Sequence, residues 1–273
     1  MSSFGLIIIG DEILSGKRVD KHLPKVIEML GERGLQLAHA DYVGDEPERI
    51  TATLEGAFAS GEIVFSCGGI GATPDDHTRQ CAARALGVEA VLHPKAEVLI
   101  RERMQDVARE QGAPYEPDRP DNVHRLNMGV FPLGASLIPN PYNKIPGFSC
   151  VSPCGTGAIH FVPGFPVMAW PMIAWVLDTQ YSHLFRRQAW LEQSVIVYGA
   201  MEAALTPLML ALEAAHAGVK VFSLPSVDHP QHGRHIELGV KGAPGPAAQA
   251  FVDLLAGLRE RGVQTGPEMV RKM

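Results

Sequence analysis

The most constraining feature of this sequence is a strand, a glycine turn and a helix start that follow one another within residues 62–86. Ile63–Phe65 is a short apolar run, as expected for a buried strand of a parallel sheet. Gly68, Gly69 and Gly71 follow it, and without Cβ atoms they allow a tight backbone turn beside a ligand. We therefore expect an anion site here, because free N–H groups and the helix dipole favour negative charge at a helix start.

Acidic residues in the same turn complicate this prediction. The pattern predicts Thr73 as the N-cap, Pro74 at the first helical position and Asp76 at the capping-box position. Asp75 and Asp76 would repel a bare phosphate, unless a metal ion held by carboxylates and phosphate oxygens bridges them. Both interpretations, capping and metal binding, stay open here. The motif GxGxxG is excluded because Pro74 stands where its third glycine belongs, and GxxxxGK[ST] is absent.

The overall composition narrows the class of protein and its partners. Lys and Arg number 24 against 30 Asp and Glu, a formal charge of −6 that argues against nucleic-acid or anionic-membrane partners. No apolar run approaches the roughly 20 residues of a membrane span, and the N-terminus lacks the features of a signal peptide. The four cysteines lack paired zinc spacing. We therefore expect a cytoplasmic protein with a small-molecule partner.

A second group of acids follows the first predicted strand. Leu6–Ile9 is a continuous apolar run, and Asp11 and Glu12 come directly after it. Ser15 and Gly16 continue the same loop. In open α/β sheets, ligands bind outside the carboxyl ends of the strands. The loop after this strand is therefore a candidate part of the site.

The next predicted strand, residues 35–43, leads to a further acid at Asp45. Asp45 with Glu48 matches a capping box at the start of the following helix. Taken alone, this local pattern favours a capping role for Asp45.

The order of the predicted elements indicates the fold class and two domains. Strands and helices alternate as far as Tyr181, which predicts an α/β domain with helices on both faces of a parallel sheet. Composition shifts near Arg186, so we expect one domain over residues 1–185 and a second over residues 186–273. The second reads as a small α+β unit with the order βαββα. It carries no acid pair and no glycine turn, so we expect a role in packing or association.

Five motifs occur in a characteristic order, at residues 10–16 (GDEILSG), 43–46 (VGDE), 68–76 (GGIGATPDD), 140–141 (NP) and 163–166 (PGFP). Together they resemble the molybdopterin-binding (MoaB/MogA-like) family, and most closely the N-terminal part of CinA-type competence/damage-inducible proteins. The resemblance covers about residues 4–185. The C-terminal amidohydrolase domain of full-length CinA proteins has no counterpart in this sequence.

The resemblance implies a three-layer α/β/α fold with its site at the carboxyl ends of the strands. The acids used by the family's molybdopterin adenylyltransferases match Asp76 and Asp45, which makes both catalytic and metal-ligand candidates. Asp11 is expected to assist catalysis, and Asp75 is a third candidate metal ligand. The expected substrate-binding residues are Glu12, Ser15, Gly16, Gly68, Gly69, Gly71, Thr73, Asn140, Pro163 and Gly164.

Three functions remain open on this resemblance. The first is metal-dependent hydrolysis of a dinucleotide pyrophosphate such as ADP-ribose or an FAD-like compound, with Mg²⁺, Mn²⁺ or Co²⁺. The second is molybdopterin adenylyl transfer in molybdenum cofactor biosynthesis. The third is a non-catalytic module that binds molybdopterin or an adenine nucleotide, because Ala72, His22 and residues 143–145 depart from the usual CinA pattern. The fold also leads us to expect a homo-oligomer, with a dimer through the tail favoured.

Overall fold

The computed structural model describes residues 3–185 and 191–272. The chain divides into two compact units, one of residues 1–31 and 35–185 and the other of residues 32–34 and 186–273. The first unit contains the elements β1 (Phe4–Ile9), α1 (Asp11–Leu14), α2 (His22–Gly31), β2 (Leu37–Val43), α3 (Pro47–Ser60), β3 (Ile63–Cys67), α4 (Thr78–Leu86), β4 (Ala90–Leu92), α5 (Pro94–Glu110), α6 (Pro120–Arg125), β5 (Val130–Pro132), β6 (Ser136–Ile138), β7 (Gly147–Val151), β8 (Ala158–Val162) and α7 (Pro166–Gln180).

The first unit is built on a six-stranded sheet with the order β2-β1-β3-β8-β7-β6. The strands β2, β1, β3 and β8 run parallel, whereas β7 and β6 form antiparallel pairs at the other end. β4 and β5 form a separate two-stranded antiparallel sheet. The predicted α/β class with a mostly parallel sheet is therefore confirmed.

Both faces of the sheet are covered, because successive side chains of a strand point to opposite faces. In β1, Leu6 and Ile8 pack in a core that includes residues of α2 and α7. Ile7 and Ile9 pack in the other core, with residues of α3 and α4. All four side chains are buried. The continuous apolar run of β1 thus joins two helical layers, which confirms the three-layer arrangement.

The parallel strands end at the same edge of the sheet. Ile9 pairs with Val43, the last residues of β1 and β2. Ile8 pairs with Cys67 at the end of β3, and Cys67 pairs with Val162 at the end of β8. The loops that follow these strands therefore meet at one edge, although they are far apart in the sequence.

Among the described residues, no helix has both the length and the apolar character needed to cross a membrane.

The predicted start of α4 was wrong. α4 begins at Thr78 with His77 at the N-cap position, not at Thr73. Residues 73–76 form a turn instead, closed by the bond from Asp76 N–H to Thr73 O at 3.0 Å, with Pro74 at its second position. The Asp76 carboxylate accepts hydrogen bonds from the backbone N–H (2.8 Å) and the hydroxyl (2.5 Å) of Thr73. This local bonding competes with helix formation and delays the helix.

The capping box that the local pattern favours at Asp45 does not form. α3 begins at Pro47, so the N-cap position falls on Glu46, whose side chain makes no capping bond. Proline suits the first helical position because it has no N–H to satisfy and a helical φ. It therefore moves the helix start one residue past the capping box that Asp45 and Glu48 would form, and it leaves the Asp45 carboxylate for other partners.

The second unit contains β9 (Leu191–Tyr198), α8 (Glu202–Ala215), β10 (Lys220–His229), β11 (Gly233–Gly242), α9 (Pro244–Glu260) and β12 (Gln264–Lys272). Its sheet is antiparallel, with the order β10-β11-β9-β12, and has its own core. The prediction of βαββα omitted β12, so the order is βαββαβ, as in ferredoxin-like domains. β12 escaped prediction because Gly266, Pro267 and its charged residues interrupt the apolar alternation of a strand.

Candidate functional site

Asp11 and Asp45 bind each other's backbone at the ends of β1 and β2. The Asp11 N–H donates to Asp45 Oδ2 at 2.9 Å, and the Asp45 N–H donates to Asp11 Oδ1 at 3.2 Å. Gly44 permits this approach, because a Cβ there would lie 2.6 Å from Asp11 Oδ1. These reciprocal bonds hold two carboxylates from separate loops side by side.

Negative charge is concentrated around Asp45. Burial is the largest cause that raises the pKa of Asp45 above its ordinary value of 3.8. The charges of Asp11, Glu12 and Asp75 raise this pKa further, while the hydrogen bond from the Asp11 N–H opposes them. Asp75 belongs to the turn after β3. The loops after three neighbouring strands therefore each contribute a carboxylate to one region.

The glycine turn after β3 is held tightly between β1 and α4. Gly68 has φ +112°, and a Cβ there would lie 2.2 Å from the carbonyl oxygen of Ile9. Gly69 has φ +65°, and a Cβ would lie 2.1 Å from Thr78 Oγ1. Thr78 binds the turn from the other side, with its hydroxyl on Gly68 O (3.2 Å) and its N–H on Gly69 O (3.0 Å). Glycine is required at both positions because neighbouring backbone and side-chain atoms occupy the space of a Cβ.

The backbone N–H groups of this turn are not used by the hydrogen bonds of the described residues. Within residues 3–185 and 191–272, no acceptor binds the N–H groups of residues 69–72. Consecutive backbone N–H groups of this kind form concave anion sites in proteins. The unpaired N–H groups of this turn therefore resemble those of such anion sites.

Arg79 is a residue of the site that the sequence reasoning missed. Its side chain is only 2% exposed, and its Nη1 donates to the carbonyl oxygens of Ile70 and, at 2.6 Å, Gly71. Burial lowers the pKa of Arg79 to about 10, with the charge of Asp76 opposing this, so the guanidinium is charged at neutral pH. A single arginine in an amphipathic helix is usually exposed, and nothing in the sequence around it signals its burial.

A cavity of about 430 Å³ opens beside the first loop. Its apolar part comes from Ile8, Ile9, Ile13 and Cys67, and its remaining lining is Glu12, Arg18, Val19, Lys21, His22, Gly164, Phe165 and Pro166. Phe165 is 54% exposed, and Arg18 Cζ lies 6.0 Å from its ring centroid. A partly apolar cavity with basic side chains and an exposed ring suits a planar heterocycle that carries phosphate. The basic residues could have been recognised, because they follow the first acidic motif closely.

The charge of Asp76 is not among those that act on Asp45. It lines a different cavity of about 290 Å³, together with Thr73, Arg79 and His124. His124 binds the carbonyl oxygen of Ala72 through Nε2 at 2.9 Å. Of the two adjacent acids in the turn, it is Asp75 whose charge acts on Asp45.

The other predicted binding residues divide into two groups. Gly164 lies at the site, since its carbonyl oxygen binds His22 Nε2 at 3.0 Å and Gly68 Cα is 3.5 Å from where its Cβ would be. Pro163 precedes it, directly after β8. Ser15 and Gly16 are exposed at the end of α1. Asn140 is different, because it is buried and its amide binds Tyr142, Asn143 and Ile145 within its own turn. Its side chain therefore supports a loop.

The sequence model of a family described as "Probable molybdopterin binding domain" matches residues 5–183. The chain belongs to this molybdopterin-binding family. The similarity to a CinA-like protein of Mycobacterium tuberculosis (strain H37Rv) is 29% identity over 262 residues, 94% of this chain and 59% of that protein. A CinA-like protein of Anaeromyxobacter sp. (strain K) is 32% identical over 162 residues, 59% of this chain and 37% of that protein. The chain thus spans 59% and 37% of the lengths of these relatives.

A solved structure supports the fold of this molybdopterin-binding chain. CinA from Thermoplasma acidophilum, described as a protein of unknown function, superposes with a TM-score of 0.55 at 24% identity. The match covers 65% of this chain and 98% of that one. The family resemblance expected from the motifs is confirmed, and at this identity the structural match concerns the fold alone.

Proposed function

We propose that this molybdopterin-binding domain hydrolyses the diphosphate bridge of a dinucleotide such as ADP-ribose or an FAD-like compound, with a divalent cation. The observation that carries the proposal is the pair of reciprocal hydrogen bonds between Asp11 and Asp45, beside the N–H groups of residues 69–72. The carboxylates of two loops and the backbone N–H groups of a third loop lie at one edge of the sheet. This is the arrangement that diphosphate chemistry requires.

The ligand would be held by complementary parts of the site. The N–H groups of residues 69–72 would bind one phosphate, and Arg18 and Lys21 would bind the rest of the diphosphate. The heterocycle would enter the 430 Å³ cavity and stack on Phe165. Gly164 leaves space for this approach, because it has no side chain.

A divalent cation fits the acids, even though no group of three or more His, Cys, Asp or Glu side chains among the described residues is arranged for a metal by itself. Asp45 and Asp11 would each supply a carboxylate oxygen, the nearby charge of Asp75 would add to the attraction, and phosphate oxygens and water would complete the coordination, as magnesium sites usually do. The like charges that raise the pKa of Asp45 are those that a cation would neutralise. When bound, a cation would stabilise the negative charge that develops on the diphosphate.

The reaction balances with water as the nucleophile. The water oxygen bonds to one phosphorus, the bridging P–O bond breaks, and the other phosphate leaves with the bridging oxygen. The proton of the water passes to a carboxylate and then to solvent.

The test is hydrolysis of ADP-ribose and FAD in the presence of Mg²⁺, Mn²⁺ or Co²⁺, with AMP measured by mass spectrometry. We expect AMP from the wild type, a loss of roughly 100-fold or more in Asp45→Asn and Asp75→Asn, and wild-type rates in Asp118→Asn. Asp118 is the matched control because it is exposed and lies outside the five motifs. Binding without AMP release under every metal condition would contradict the proposal.

Adenylyl transfer to molybdopterin is a second candidate, supported by the family description and by a cavity that suits a pterin ring. Formation of adenylated molybdopterin and pyrophosphate from ATP and molybdopterin would decide for it. A non-catalytic module would instead bind these ligands equally well in the wild type and in Asp45→Asn, with no turnover in either protein.

A further inference from the structure

Arg79 is a buried cation whose hydrogen bonds go to the glycine turn. Its guanidinium binds the carbonyl oxygens of Ile70 and Gly71 through the same nitrogen, Nη1. Its Nε is buried without a partner, and no carboxylate among the described residues forms an ion pair with it. Burying an arginine in this way is unfavourable unless its charge serves the structure or a ligand.

The geometry of the peptide bond gives these two hydrogen bonds a consequence. In a trans peptide the carbonyl oxygen and the N–H of the next residue point in opposite directions. Because the carbonyls of Ile70 and Gly71 point at the guanidinium of Arg79, the N–H groups of Gly71 and Ala72 point away from it. Neither N–H has an acceptor within the described part of the chain.

We propose that Arg79 is a positioning residue for the phosphate site: its two carbonyl contacts aim the N–H groups of Gly71 and Ala72 at the ligand. Its buried charge also adds positive potential beneath the turn, where a phosphate would bind. The inference rests on the proposed function, because it assumes that the turn receives a phosphate. It adds a residue that never touches the ligand and acts through the backbone.

Inorganic pyrophosphate with Mg²⁺ is the probe, because the cation offsets the repulsion by the acids and the binding is measured separately from dinucleotide hydrolysis. The variants are Arg79→Gln, which removes the charge and shortens the side chain, and Arg79→Lys, which keeps the charge but not the fork of the guanidinium. Arg84→Gln is the matched control, because Arg84 is exposed in the same helix. Folding of each variant is checked by its thermal unfolding and its amide NMR spectrum.

In the wild type and in Arg84→Gln, we expect pyrophosphate to shift the amide NMR signals of Gly71 and Ala72. In Arg79→Gln the Kd for pyrophosphate should rise by about 10- to 100-fold, and both amide signals should already differ before titration. Arg79→Lys should recover only part of the affinity, since charge alone does not aim the two peptides. If Arg79→Gln does not fold, Arg79→Lys decides by the same comparison with the wild type.

Wild-type affinity in a folded Arg79→Gln or Arg79→Lys variant would overturn the inference, and so would unshifted Gly71 and Ala72 signals in the pyrophosphate-bound wild type. The proposed function fails separately. If pyrophosphate binding depends on Arg79 but no dinucleotide is hydrolysed, the hydrolase proposal falls and the positioning role of Arg79 stands. If a folded Arg79→Gln variant hydrolyses dinucleotides as well as the wild type, the hydrolase proposal stands and the positioning role of Arg79 falls.

Discussion

The Asp45 carboxylate lies among other acids, and these neighbours determine its charge environment. Its carboxylate accepts the N–H of Asp11, and the charges of Asp11, Glu12 and Asp75 act on it. The folded state therefore keeps several acids close together, which is unfavourable in the absence of a cation. Such groups are common at functional sites, where binding a ligand or metal offsets the repulsion.

Asp45→Asn should make the ligand-free protein slightly more stable at neutral pH. Because folding raises the pKa of Asp45, the folded state binds its proton more tightly than the unfolded state, and ionisation destabilises the fold as the pH rises through the raised pKa. The amide keeps an acceptor for the Asp11 N–H and carries no charge. We expect a gain below about 1 kcal/mol after solvent screening.

Urea unfolding at pH 7 and at pH 3.5 measures this effect. The gain should be present at pH 7 and should shrink at the lower pH, where the wild-type carboxyl is itself protonated. Added Mg²⁺ should stabilise the wild type more than Asp45→Asn. A variant less stable than the wild type at pH 7 would contradict the electrostatic account.

His160 is a second residue whose titration should affect stability. It is completely buried in β8, with Ser149 Oγ 2.7 Å from its Nδ1 and Tyr181 Oη 2.7 Å from its Nε2. Burial lowers its pKa from 6.5 to about 3. The unfolded state therefore binds a proton at His160 below about pH 6.5, whereas the folded state binds it only below about pH 3.

The free energy of unfolding should consequently fall as the pH decreases from about 6.5 to about 3, with a slope of up to about 1.4 kcal/mol per pH unit from this residue. NMR of the folded protein provides the direct check, since the ring signals of His160 should stay those of a neutral imidazole down to pH 4. Titration of these signals near pH 6.5 in the folded state would contradict the prediction.

At the scale of elements, the turn between β3 and α4 connects the sheet to the site. The turn packs closely against Ile9 at the end of β1. It also accepts hydrogen bonds from Thr78, the first residue of α4, and from the guanidinium of Arg79. A turn held from three directions can keep its N–H groups oriented before a ligand arrives. This reduces the entropy that binding would otherwise lose.

Gly68→Ala tests how closely the turn is packed. A Cβ at Gly68 would lie 2.2 Å from Ile9 O, so β1 and the turn must separate, in addition to the strain of φ +112°. Gly87→Ala is the matched control, because Gly87 has φ +67° and nothing within 4 Å of a Cβ. We expect Gly87→Ala to lower the free energy of unfolding by about 1 kcal/mol and Gly68→Ala by clearly more, as measured by urea unfolding. Equal losses would contradict the close contact with β1.

At the scale of the whole molecule, each unit has its own hydrophobic core. The first has two clusters, one on each face of its sheet, and the second has a single cluster that includes Val195, Leu238 and Phe251. The loops of the candidate site belong to the first unit. Ligand binding should therefore act on the stability of that unit.

Calorimetry should resolve two thermal transitions. A dinucleotide with Mg²⁺ should raise the transition of the first unit, because a ligand that binds only the folded state stabilises it by mass action. Leu238→Ala should lower the other transition, since truncating a fully buried leucine costs about 2–5 kcal/mol. A single transition that moves as a whole with either change would contradict independent units.

Much of the fold could be predicted from residue patterns within short segments of the sequence. The apolar run of β1, the glycines after β3 and the acids at strand ends all follow from side-chain periodicity and the absence of a Cβ, which are properties of short segments. These patterns predicted the α/β class and the sheet edge at which the candidate site lies. β12 was missed because its segment lacks such a pattern.

The tertiary structure alone decided which of these residues meet. Asp45 and Asp76 both fitted capping boxes locally, yet Asp45 binds Asp11 and Asp76 lines a different cavity. The burial of Arg79 beneath the glycine turn likewise has no signal in the sequence. Contacts between distant loops depend on strand order and register, and these are set by the packing of the whole sheet, whereas a sequence pattern describes only neighbours along the chain.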